Sequence, residues 1–64
     1  MEYKIARGAR SDPSEALAAL EEEVNANLAT GWRPIGAVTF TFFGNYEKPS
    51  HGFVALQAMI RDAP

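Results

Sequence analysis

The stretch Asp12-Pro13-Ser14-Glu15-Ala16-Leu17-Ala18-Ala19-Leu20-Glu21-Glu22-Glu23-Val24-Asn25-Ala26-Asn27-Leu28-Ala29-Thr30-Gly31-Trp32 decides the fold, because it reads as one helix with both ends marked. Asp12 can cap the first turn, Pro13 fits the first helical position, and Glu15 stands where a capping box places its acid. Leu17, Leu20, Val24 and Leu28 recur at spacings of three and four, with Glu21, Glu22 and Glu23 mostly off that stripe. Gly31 can take the left-handed conformation after the last turn, and Trp32 can fold back as its hydrophobic partner, which makes Trp32 a packing residue. The sequence therefore predicts a helix over 13–29 that buries one face only.

Working outward, Tyr3 and Ile5 alternate with Glu2, Lys4 and Ala6, a period-two signal that predicts a strand over about 2–7, broken by Gly8-Ala9-Arg10-Ser11. After the helix, residues 35–43 are small, β-branched or aromatic and predict a second strand. A connection rich in turn formers fills 44–52, and a third strand is expected over about 53–61. The order is β-α-β-β: a single α+β domain over residues 1–64, with a three-stranded, mainly antiparallel sheet and one amphipathic helix packed on one face. A helix of that length spans about 25 Å and a nine-residue strand about 28 Å, so the layers match.

One helix covers one sheet face. The side bearing Val38, Phe40, Phe42, Val54, Leu56 and Ile60 is the more apolar and is expected under the helix. Ile35, Ala37, Phe43, Phe53, Ala55 and Met59 then stand on the opposite side among Thr39, Thr41, Gln57 and Arg61, more hydrophobe than a monomer normally leaves in water. Those six residues are the expected interface of a homo-oligomer, a dimer or larger, formed sheet to sheet or edge to edge.

Composition points the same way. A chain of 64 residues buries only about 60% of its unfolded surface, and small scaffolds usually add disulfides, a metal or a partner subunit. There is no cysteine and only one histidine, so disulfides, thiolate chemistry and Cys-based metal sites are excluded and self-association is left. The net charge of -2 is uneven: residues 1–11 sum to +2, residues 12–30 to -5 and the remainder to +1. That distribution disfavours nucleic acid, whose phosphates need clustered Lys and Arg. No apolar run approaches the roughly 20 residues of a membrane span, and the N-terminus lacks a signal-peptide core, so the expectation is a cytoplasmic protein with no membrane contact.

Four blocks carry a family resemblance: Met1-Glu2-Tyr3-Lys4-Ile5, Glu22-Glu23-Val24-Asn25, Gly31-Trp32-Arg33-Pro34-Ile35-Gly36 and Gln57-Ala58-Met59-Ile60-Arg61. Together they resemble a short bacterial and phage domain of unknown function. The resemblance spans nearly the whole chain and implies the β-α-β-β layout, with no assigned chemistry.

Catalysis needs titratable groups held together in a cleft, and the candidates here, His51, Glu47, Asp62 and the helix acids, form no recognisable constellation. No catalytic residue, metal site or cofactor is expected. Two binding surfaces stand out. Arg33, Tyr46, Lys48 and His51 gather ring and cation chemistry around the connection between the last two strands, suited to a small anionic ligand. Lys4, Arg7 and Arg10 form a basic strip that reads most simply as protection of an edge strand. The expected function is that of a non-enzymatic, self-associating binding domain. Two alternatives are a protein that sequesters a small anion such as a nucleotide at a subunit interface, and a protein- or nucleic-acid-interaction module.

Overall fold

The computed structural model describes residues 1–44 and 52–62. Asp12, extended at φ -109° and ψ 134°, caps the helix α1 (Pro13–Leu28): its Oδ2 accepts from the Glu15 amide at 3.1 Å and from the Ser14 hydroxyl at 2.5 Å. The helix ends on Ala29. The amides of Thr30 and Trp32 both donate to the Asn27 carbonyl, and Gly31 lies between them at φ 92°. That turn drops Trp32 into the core, as its place after the helix predicts.

Around the helix stand β1 (Glu2–Arg10), β2 (Arg33–Phe43) and β3 (Gly52–Arg61), in the spatial order β1-β3-β2 with both pairings antiparallel. The α+β class and the β-α-β-β order are those read from the sequence. The last strand is thus the central one, and β1 and β2 are both edges.

Gly8 does not break β1. The strand runs on to Arg10, paired from Glu2 with Arg61 to Arg10 with Phe53. Glycine is required there for approach rather than for a turn: a Cβ at Gly8 would lie 2.5 Å from the Ala16 carbonyl oxygen and against the Leu20 amide nitrogen. Ala6, Ala16 and Ala55 continue the same close contact, all within 2% of complete burial. The helix is thereby seated on β1 and β3. The compact core is Ala6, Leu20, Trp32, Ala55 and Met59, with Val24 against it. Along the helix the buried line is Ala16, Leu20 and Asn27, whereas Leu17 and Leu28 of the expected stripe are 41% and 47% exposed.

Seating the helix on small residues reverses the expected faces of β3 and leaves those of β2 as expected. Directly opposed residues of paired strands share a face, so Lys4 with Met59, Ala6 with Gln57, Gly8 with Ala55 and Phe40 with Ala55 lie on the helix side. Ala55 and Met59, expected on the uncovered side, are fully buried beneath the helix, and Phe53 shares their side. Val54, Leu56 and Ile60, expected beneath it, lie on the open side. Phe40 and Phe42 do lie on the helix side, although Phe40 remains 42% exposed because the helix stops short of β2.

β2 is regular except at one point. Ile35 opposes Ala58 and Thr39 opposes Leu56, so Gly36, Ala37 and Val38 stand against Gln57 alone. Gly36 takes φ 71°, which only glycine adopts freely. The buried Gln57 amide donates from Nε2 to the Ile35 carbonyl at 2.9 Å and the Ala58 carbonyl at 3.1 Å, fixing the bulge from the core side.

Candidate functional site

The open face of the sheet is the most distinctive surface of the described residues. β1 contributes Tyr3 and Ile5, 62% and 49% exposed; β2 contributes Ile35 and Phe43, 40% and 42% exposed; β3 fills the middle with Val54, Leu56, Ala58 and Ile60. Thr39 and Thr41 are interspersed, and Arg7 is the charge on its β1 side. Strand pairing lays these side chains in one plane by alternation, and α1 is on the other side. Of the six residues expected at a self-interface, Ile35 and Phe43 lie on this face, Ala37 is exposed in the bulge, and Phe53, Ala55 and Met59 belong to the helix side. Tyr3, Ile5, Leu56 and Ile60 take the vacated places. The alternation of Tyr3 and Ile5 was visible in the sequence, but their alignment with Ile60 and Ala58 depends on the pairing of β1 with β3.

On the helix side, the offset of α1 leaves a groove of about 420 Å³ beside β2. Leu20, Val24, Pro34 and Val38 line it, with the exposed Glu21 and Asn25 on its helix wall. A carboxylate on that wall opposes an anionic guest.

The basic strip does not form one surface. Lys4 and Arg10 point to the helix side and Arg7 to the open side, as alternation requires. Lys4 Nζ lies 4.4 Å from the centre of the Trp32 ring and the Arg61 guanidinium carbon 4.5 Å from it, so both cations pack on the buried indole. Arg61 also donates to both carboxylate oxygens of Glu2, at 3.0 and 2.9 Å, and to the Thr30 carbonyl at 3.3 Å. This fork ties the first and last strands to the helix end. The Arg61 hydrogen bond holds the Glu2 carboxyl below its ordinary value, and the Ser14 hydroxyl does the same for Asp12.

Arg33, expected to bind a small anion, is exposed and lies 3.6 Å from Asp62. Tyr46, Lys48 and His51 lie outside the described residues. Among the described residues no three acids or histidines gather as a metal-holding group, and no helix is long and apolar enough to cross a membrane.

No protein-family model matches the chain, and comparisons with curated proteins and with solved structures gave no match. The family resemblance rests on the four sequence blocks alone.

Proposed function

We propose that this chain is a non-enzymatic, self-associating binding domain whose open sheet face is its self-interface. One observation carries the reading: a continuous apolar surface from Tyr3 and Ile5 across Leu56 and Ile60 to Ile35 and Phe43, on the side of the sheet away from the helix. Patches of that kind on small proteins mark interaction sites. The small core supports the same reading, since a domain of this size gains much of its missing burial from a partner.

Ile5→Lys tests it. The substitution sets a charge in the open face, on the strand farthest from β2, without touching the core. Light scattering should find the unmodified chain as an oligomer and Ile5→Lys dissociated at the same concentration, with the far-ultraviolet circular dichroism of both unchanged. An Ile5→Lys chain that keeps the full assembly mass would overturn the choice of face.

A further inference from the structure

The groove between α1 and β2 has a fixed wall. Gly36, Ala37 and Val38 stand against Gln57 alone, and the buried Gln57 amide holds the Ile35 carbonyl, so the bulge that carries Val38 is pinned from the core. Leu20 and Val24 of the helix face Pro34 and Val38 across about 420 Å³, near the lower end of the ~300–1,000 Å³ of small-molecule sites. A folded protein partner needs about 800 Å² from each side, far more than these four side chains offer. The connection between β2 and β3 leaves the far end of the sheet at Phe43 and Gly52, about 17 Å along β3 from Gln57, and its eight residues out and back span about 14 Å, short of the groove.

The polar side of the groove has one character. Glu21 and Asn25, one turn apart on α1 and both exposed, set a carboxylate and an amide oxygen beside the apolar trough. Among the described residues neither side chain has an ion pair or a hydrogen bond. The described cations are engaged or placed elsewhere: Lys4 and Arg61 on Trp32, Arg33 beside Asp62, and Arg7 on the open face. Residues 12–30 sum to -5, so the field of the whole helix favours a positive guest.

We infer that this groove binds a small apolar amine as its ammonium ion, with an alkyl or aryl body between Val24 and Val38 and the charged head on Glu21 and Asn25. An ammonium carries three donors and no acceptor, which matches two oxygen acceptors beside an apolar trough. An anion of the same shape meets the Glu21 carboxylate, and a neutral one leaves that charge unused. The site lies across the sheet from the open face, so it goes beyond the self-association reading and holds whether or not the chain assembles.

Phenylbutylammonium, phenylbutanol and phenylbutyrate share one body and differ in head-group charge. Each is titrated into the full chain at low ionic strength, where a surface charge pair is least screened, and the amide chemical shifts are followed. Shifts should centre on Val24, Asn25 and Val38, with phenylbutylammonium binding about fivefold tighter than phenylbutanol and phenylbutyrate weakest. Glu21→Gln should remove the fivefold preference and leave phenylbutanol binding unchanged. Val38→Lys, at a position 49% exposed, should set an ammonium of the chain's own in the groove and abolish binding of the cationic probe. Circular dichroism checks that both variants fold. Equal affinity for the three probes, or a preference that survives Glu21→Gln, overturns the charge assignment. Shifts confined to the open face, or none up to the solubility limit, overturn the site. Light scattering without a probe reads self-association separately, so a single chain that still binds the cation overturns that reading alone.

Discussion

Gly8→Ala is the substitution that asks most of the packing argument. The added methyl would sit 2.5 Å from the Ala16 carbonyl oxygen, against the Leu20 amide nitrogen and 2.9 Å from the Ala19 carbonyl carbon, all helix backbone. Ordinary contact begins near 3.4 Å, so α1 must retreat by roughly 1 Å, and a gap of that size forfeits a quarter to a half of each dispersion contact it opens. Overpacking of this kind costs about 1–3 kcal/mol, while replacing a strand glycine without strain would stabilise by about 0.4–1 kcal/mol. The net expectation is a loss of about 1–2 kcal/mol, a large share of the ~3–5 kcal/mol a domain of this size holds. Thermal melting followed by circular dichroism should show a fall of about 4–8 °C per kcal/mol. Because the clash is with backbone, Leu20→Ala should not rescue it. A Gly8→Ala chain that melts at or above the unmodified temperature, or is restored by Leu20→Ala, would refute the claim that glycine there seats the helix.

Three further outcomes follow from the same contacts. Gly36→Ala meets no atom within 4 Å but forces alanine to φ 71°, so urea titration should show a loss of about 1–2 kcal/mol from backbone strain alone. Gln57→Leu leaves the Ile35 carbonyl without its side-chain donor and should cost about 1–3 kcal/mol, with faster amide exchange confined to the bulge. Glu2 and Asp12 have folded values below their unfolded ones, so their stabilisation is present above the unfolded value and lost as pH falls through the folded one. Melting temperature should therefore decline below about pH 4, and less steeply in Glu2→Gln with Asp12→Asn.

The helix was legible because its ends are chemical: Asp12, Pro13, Gly31 and Trp32 each satisfy a local requirement that no tertiary contact changes. The strands were legible as alternation, and so were the two faces of β2, but not those of β3. Counting hydrophobes on each side assigned Val54, Leu56 and Ile60 to the helix, but a helix goes where its backbone can approach, and Gly8, Ala6 and Ala55 allow that on the other side. A glycine read as a break was the seat of the helix. Strand order was equally hidden, since period two says nothing about which strand is central. The helix takes Phe53, Ala55 and Met59 out of the candidate site and leaves Leu56 and Ile60 in it, and the pairing of β1 with the central β3 adds Tyr3 and Ile5. Arg33, read as part of an anion-binding surface, is exposed and lies beside Asp62.

Sedimentation equilibrium of the unmodified chain, from micromolar to millimolar concentration, tests most directly whether the open face is a self-interface. The account predicts a mass that climbs above 7.0 kDa with concentration and levels off at a whole multiple of it. A constant 7.0 kDa throughout, with a cooperative melt that does not depend on concentration, would contradict it.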